Sequence, residues 1–463
     1  MDTFARVFAY FSADFISTPE GLRLEPIGKA RTDPAAGVDS WIRALNSKGC
    51  TPILNINQTP AWFWASQSQN QVKSAAQAAS FADTYNPFAD FSDWAANGAK
   101  KRAVFNQAQF VPDHPPIISP GTSRVNPDSY AAYARIFGEV AKRYGKNKHP
   151  EGGLWVNTSP RWTNDPPNER ISGLGLKFGL QVWNEPDKWW HKGDGSGIYF
   201  EPEEYAALFA ACYAEIKAAD PTVPVYMAGL TGFDMEYMTR FVNALKSMGK
   251  PLPDVFDLHH YSHAGNRVGV WPPTWYDGGA CAPEQDQDFE GVRQFVDFAK
   301  LHGKPLSVSE FGCDTRGPSW MWAKPIAGKS SEQLQATWVC RSYMEYMRLG
   351  VGSSAVFNGN DEQGAENGGL YTNSGLLYGE GEPGKVFAPK PSYIAVTGLI
   401  RSLQGLEFVK DVSTANCRAM MFKKQDGSRV LAAWWPTVEG KNKMADLEGK
   451  TLQVTEDVQF FNL

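Results

Sequence analysis

Two glutamates in this chain stand where carboxyl chemistry can be done. The run GLKFGLQVWNEPD closes on Trp183-Asn184-Glu185-Pro186, β-forming residues that end in an acid flanked by an amide and a proline. Such a run reads as a carboxylate delivered at the carboxyl end of a strand. Lys304-Pro305-Leu306-Ser307-Val308-Ser309-Glu310-Phe311-Gly312 repeats the device, with Glu310 ending a short apolar run and Gly312 opening the turn. One carboxyl group can protonate a leaving oxygen while a second attacks carbon, which is what retaining glycoside hydrolysis requires. Either motif alone is weakly specific. Their order, and an interval that holds about three βα units, make the pair specific. Chemistry at neutral pH then needs Glu185 protonated and Glu310 ionised, so their surroundings must separate their proton affinities.

On these residues the chain resembles the clan A glycoside hydrolases, (β/α)8 barrels with an acid/base after an Asn at the end of strand 4 and a nucleophile at the end of strand 7. The WNEPD wording is closest to family 39 and its relatives, and the resemblance covers most of residues 5 to 403. It implies that Glu185 is the general acid/base, Glu310 the nucleophile and Asn184 the donor to the substrate 2-hydroxyl. His259-His260-Tyr261 resembles the His-x-Tyr of the clan, which implies Tyr261 as the donor that keeps Glu310 ionised and oriented, with His259 or His263 binding sugar. Strand 8 departs from the pattern, because Phe357 and Asn358 stand where a sugar-stacking Trp is common, with Asp361 and Glu362 beyond. No match to the Arg that many relatives carry on an early strand is found.

Other residues point to substrate contact by their own types. Trp183 belongs to the acid/base motif, and Asp187, Trp189, Trp190 and His191 crowd the loop after it, a density that suits a substrate wall. Asn55, Asn57 and Gln58 offer hydroxyl contacts at the end of an earlier strand. His259, His260 and His263 are not read as a metal site, since alternate strand residues face opposite sides and no carboxylate joins them. No metal or cofactor is expected. The six cysteines are scattered without a CxxC pair and read as buried free thiols.

Aromatic residues make up 13% of the 463 residues and Trp alone counts 16, several beside Gly, Pro, Asp and Asn where core packing would not ask for them. That favours sugar platforms, while others, such as Trp434 and Trp435 in a strand-like run, suit a core. A net charge of −5 disfavours a nucleic-acid or anionic-membrane partner, and no run approaches a membrane span. The expected partner is a carbohydrate. Lys188, Lys192 and the run Lys100-Lys101-Arg102 could meet sulfate or carboxylate groups, although a solvated basic face accounts for that run better. MDTFARVFAYFS lacks a basic segment followed by an apolar one, so no signal peptide is read, although a polysaccharide-degrading enzyme is expected to be secreted or periplasmic.

The elements that must position these residues alternate. Strands are predicted over residues 5–15, 51–60, 177–186, 223–230, 254–263, 304–312 and 353–361. Helices are predicted over 37–49, 126–145, 201–221, 235–249, 288–303, 331–350 and 391–403, with Asn126 as a cap and Gly145 as a stop. The fold class is therefore α/β, a (β/α)8 TIM barrel over residues 1–404. Only two βα units precede Glu185, so either the first strand falls before Met1 or the barrel is irregular. Short β-like runs from residue 405 to 463 predict a small antiparallel β domain. The loops at about 61–125, 187–200, 264–287 and 359–390 follow strands and belong to the catalytic face. The reaction expected is double displacement on a β-linked or equatorially linked poly- or oligosaccharide. The alternatives are an inactive carbohydrate-binding barrel and a transglycosylase.

Overall fold

A computed structural model describes residues 6–24, 38–60, 62–63, 113–117, 123–159, 167–194, 196–264, 279–286, 288–317, 319–362, 369–436 and 442–463. The Lys100-Lys101-Arg102 run, and most of the loops predicted at 61–125 and 264–287, lie outside the described residues. The chain divides into two compact units, Ala5–Asp257 and Leu258–Leu463.

In the first unit, β1 (Arg6–Ser12), β2 (Thr51–Asn57), β3 (Gly179–Val182) and β4 (Val225–Met227) form one parallel sheet in that order. Parallel neighbours need crossovers. These are supplied by α1 (Val38–Ser47) between β1 and β2, α2 (Ala131–Tyr144) between β2 and β3, and α3 (Pro202–Ala219) between β3 and β4, with α4 (Met235–Ser247) following β4. Three of these helices, α2 to α4, start where the sequence satisfies free amides. Asn126 accepts from the Asp128 amide to open a 3-10 turn that runs into α2. Glu201 and Glu204 form a reciprocal cap on α3, and Asp234 accepts from the Tyr237 amide at the start of α4. Tyr133, Ile136, Phe137, Val140 and Tyr144 of α2 are buried at helical spacing. Gly145 ends that helix in an extended conformation, and a Cβ there would meet the Ala141 carbonyl oxygen at 2.5 Å. A short antiparallel pair, Ser17–Thr18 with Gly21–Leu22, follows β1 and was not predicted.

The chain passes from one unit to the next within β5 (Phe256–His259). Then come α5 (Phe289–Leu301), β6 (Leu306–Phe311), α6 (Ser331–Leu349), β7 (Ser353–Val356) and α7 (Pro391–Leu403). The sheet order is β5–β6–β7, and β6 and β7 are parallel. All six residues of β6 are buried, the mark of a strand covered on both faces. Ser330 and Gln333 cap α6 reciprocally, and Gly350 stops it at φ +90°, a conformation open to glycine. Residues from Glu407 onward give an antiparallel sheet of β8 (Glu407–Asp411), β9 (Arg418–Lys423), β10 (Arg429–Trp434) and β13 (Gln459–Asn462), and a hairpin of β11 (Lys443–Leu447) and β12 (Lys450–Val454). Trp434 is fully buried and Trp435 packs on the cluster formed by Cys417, Ala419, Met421, Leu431 and Ala433.

The architecture is thus α/β with parallel strands alternating with helices, and the described strands fall into separate sheets without a closed ring. All six cysteines are free thiols, five of them buried and Cys50 half-buried. Among the described residues no helix is long and apolar enough to cross a membrane.

Candidate active site

Glu185 does not end its strand. β3 stops at Val182, and Trp183 and Glu185 then adopt φ of +73° and +47°. For side chains with a Cβ such angles cost energy and persist only where the surroundings hold them. Three ties do so. Asn55, fully buried on β2, donates from Nδ2 to the Trp183 carbonyl at 2.8 Å. The Glu185 amide donates to the Gly229 carbonyl at 3.2 Å. The Asp187 carboxylate accepts from the Thr231 amide at 2.9 and 3.1 Å and from the Thr231 hydroxyl at 3.1 Å. The turn that presents the acid is therefore fastened to the segment following β4.

The residues around this turn divide by what they touch. Trp183 is 2% exposed and packs between Tyr133 and Phe200, so it props the turn from inside. Asp187 is buried and its oxygens are engaged by Thr231. Burial pushes its carboxyl up to about 7, the Thr231 amide pulls it down, and the charge of Glu185 raises it further. Asn184 is half-buried, and its Oδ1 is enclosed without a hydrogen bond among the described residues. Trp189 is 41% exposed and stands edge-on to Trp190, whose ring lies 6.1 Å from His191. His191 pairs with Asp194 at 2.8 Å, and Lys188 with Asp113 at 2.6 Å. Asn57 donates to Asn55 at 2.9 Å.

Glu310, in the second unit, is the penultimate residue of β6 and 7% exposed. The Tyr261 hydroxyl donates to its Oε2 at 2.7 Å, and His259 Nδ1 lies 3.5 Å from the same oxygen. Both partners come from β5 or the residues just after it, and both are buried. His263 turns elsewhere, its Nε2–H donating to the Trp320 carbonyl at 3.0 Å while its ring lies 5.5 Å from the Trp320 ring. Phe357 and Asn358 follow β7 directly and are half-buried. Phe357 packs with Tyr261 and Cys313 in a cluster that also takes in Trp320 and Tyr371. Gly312 lets the chain turn beneath this cluster, because a Cβ there would meet the Phe357 carbonyl oxygen at 2.7 Å. Burial pushes the Cys313 thiol up to about 12, which keeps it protonated and poorly nucleophilic.

What the arrangement offers is a buried glutamate with a phenol donor on one unit, and on the other a glutamate held in a braced turn beside an enclosed amide. Among solved structures, the chain is similar to a family 39 glycoside hydrolase from the gut symbiont Bacteroides cellulosilyticus WH2, with a TM-score of 0.53 over 99% of this chain and 74% of that one at 15% identity. Its structural neighbours are glycoside hydrolases. A glucosidase from Croceicoccus marinus gives a TM-score of 0.50 over 98% of this chain and 74% of that one, at 12% identity. At these identities the likeness to glycoside hydrolases is one of fold. No family model matches the sequence, and no curated protein does.

Sequence reasoning missed two buried polar systems in this glycoside hydrolase-like fold. In the first unit an amide ladder runs from Asn55 Nδ2 to Gln181 Oε1 at 2.7 Å and from Gln181 Nε2 to Asp257 Oδ2 at 2.6 Å, with all three residues fully buried. In the second, His260 lies between the Tyr346 hydroxyl at 2.6 Å and the Asp286 carboxylate at 2.9 Å. Inward-facing polar side chains on strand-like runs were the available signal; their partners lie far away in sequence.

Proposed function

We propose that this chain is a retaining glycoside hydrolase, a (β/α)8 barrel over residues 1–404 carrying a small β domain over 405–463. Glu310 is the nucleophile and Glu185 the general acid/base. The observation that carries the reading is the Tyr261 hydroxyl on Glu310 Oε2 at 2.7 Å. An O–H donor stabilises a carboxylate relative to its acid, and the ionised form is the one that attacks. The likeness of fold to glycoside hydrolases and the braced turn under Glu185 support it further.

In the first step a Glu310 oxygen bonds to the anomeric carbon as the bond to the departing oxygen breaks, and Glu185 gives that oxygen its proton. In the second, Glu185 takes a proton from water, the water oxygen bonds to the anomeric carbon, and Glu310 leaves as carboxylate. The reaction requires the two carboxyl groups to stand about 5 to 5.5 Å apart across the sugar. Asn184 takes the 2-hydroxyl, His259 assists at the same sugar, and Trp189, Trp190 and Phe357 offer ring faces to neighbouring sugars. The substrate is a β-linked or equatorially linked poly- or oligosaccharide, met by a secreted or periplasmic enzyme.

The test is hydrolysis of aryl glycosides and of a panel of plant and algal polysaccharides, with the anomer first released read by proton NMR. Release with the anomeric configuration of the substrate supports the reading, and release with the opposite configuration contradicts it. Tight glycan binding without turnover would instead favour an inactive carbohydrate-binding barrel.

A further inference from the structure

Just past Glu310, Asp314 is fully buried, and its carboxylate holds the loop around residues 371–373 as well as nearby Ser319. Oδ2 accepts from the Tyr371 amide at 2.9 Å and from the Ser319 hydroxyl, and Oδ1 accepts from the Asn373 amide at 3.1 Å. The same loop is gripped from behind. Lys390 Nζ donates to the Asn373 carbonyl at 3.0 Å and to Asp361 at 3.0 Å, and Asp361 accepts from the Gly375 amide at 2.9 Å. Inside this grip Tyr371 takes φ +64°, a left-handed conformation that a residue with a Cβ holds only when its surroundings over-determine it.

The ring so placed lies against the nucleophile's donor. Tyr371 and Tyr261 have centroids 5.0 Å apart at 40°, and Phe357 and Trp320 stand edge-on to Tyr371 at 5.8 and 6.2 Å. The direction of a phenol O–H is set by the plane of its ring, and hydrogen-bond strength falls steeply with angle.

We propose that Asp314 is a positioning residue for the reaction. By holding the Tyr371 and Asn373 amides it seats the Tyr371 ring on Tyr261, and so fixes the angle at which Tyr261 donates to Glu310. This rests on the reading of Glu310 as the nucleophile. Asp314 touches no reacting atom and acts only through the two rings.

The experiment is a cycle of Asp314→Asn, Tyr261→Phe and the double variant, with kcat measured on whichever aryl glycoside the wild type hydrolyses. Asp314→Asn alone is expected to lower kcat by about 10-fold or more, the scale of a small misplacement. In the Tyr261→Phe background it is expected to cost no more than about two-fold, since the path it acts through is already cut. Full loss in both backgrounds, as a merely structural role would give, overturns the proposal. Should Asp314→Asn fail to fold, Tyr371→Ala takes its place in the cycle with the same expectations. Hydrogen exchange of residues 369–376 reads the seating without any turnover: faster exchange in Asp314→Asn supports it and unchanged exchange overturns it. A wild type that hydrolyses none of the glycosides overturns the functional reading, while the exchange measurement still decides whether Asp314 holds the loop.

Discussion

At the residue scale, Glu310 is a buried acid whose carboxylate accepts from a buried phenol on a neighbouring segment, Tyr261. A hydrogen bond to a charged group contributes about 1.5 to 3 kcal/mol. Tyr261→Phe keeps the ring that packs on Tyr371 and removes only the hydroxyl. The variant is therefore expected to melt within a few degrees of the wild type while kcat/KM falls by about 10- to 100-fold. Steady-state kinetics on an aryl glycoside checks it, and an unchanged kcat/KM would show that the hydroxyl does not serve the nucleophile. Tyr261 was singled out through the resemblance of His259-His260-Tyr261 to the His-x-Tyr of clan A glycoside hydrolases, and both residues come from one short run beside the Glu310 strand. Tyr371 was not legible in the same way, since it reaches the cluster only through a loop whose hold on Asp314 has no local signature.

At the element scale, the strands and helices followed the sequence closely because each is written in one uninterrupted period. The helix predicted over 391–403 spans Pro391–Leu403, and the strands at β2 and β6 lie within the predicted runs. Departures come where tertiary ties override the pattern. The run ending in Glu185 was read as strand throughout, yet it leaves the sheet after Val182 for a turn with two positive-φ residues. Nothing in Trp or Glu as residue types announces this, and the partners that hold it, Asn55, Gly229 and Thr231, are distant in sequence.

Asp187 is the brace most open to test. Burial raises its carboxyl from 3.8 to about 7. A group whose folded value lies above its unfolded one lends stability that is full below the unfolded value and is lost as pH rises through the folded value. The wild type is thus expected to lose stability relative to Asp187→Asn as pH rises from about 4 to 7. Thermal melts of both proteins across that range check the sign, and a difference independent of pH would contradict it.

At the scale of the whole molecule, α6 ties the antiparallel sheet to the rest of the second unit through buried charge. Arg341, fully buried, pairs with Glu284 at 2.5 Å, and the Trp434 indole of β10 donates to the same carboxylate at 2.5 Å. Glu345 pairs with Arg418 at 3.1 Å, and Thr337 donates to Asp457 at 2.6 Å. Breaking a buried pair by removing one partner costs about 3 to 5 kcal/mol, because the remaining charge is left in a dry site. Arg341→Ala is expected to lower the unfolding free energy in urea by about that amount. A loss below about 1 kcal/mol would mean that water reaches Glu284 and that the contact is peripheral.

The claim on which the account turns is that Glu310 supplies the attacking oxygen, and Glu310→Ala assayed with and without sodium azide tests it most directly. The account predicts a fall in kcat on the order of 10⁴-fold or more, with turnover restored by azide as a glycosyl azide of inverted configuration, the product of a single displacement. Near wild-type turnover in Glu310→Ala, or azide rescue that yields the retained glycosyl azide, would contradict it.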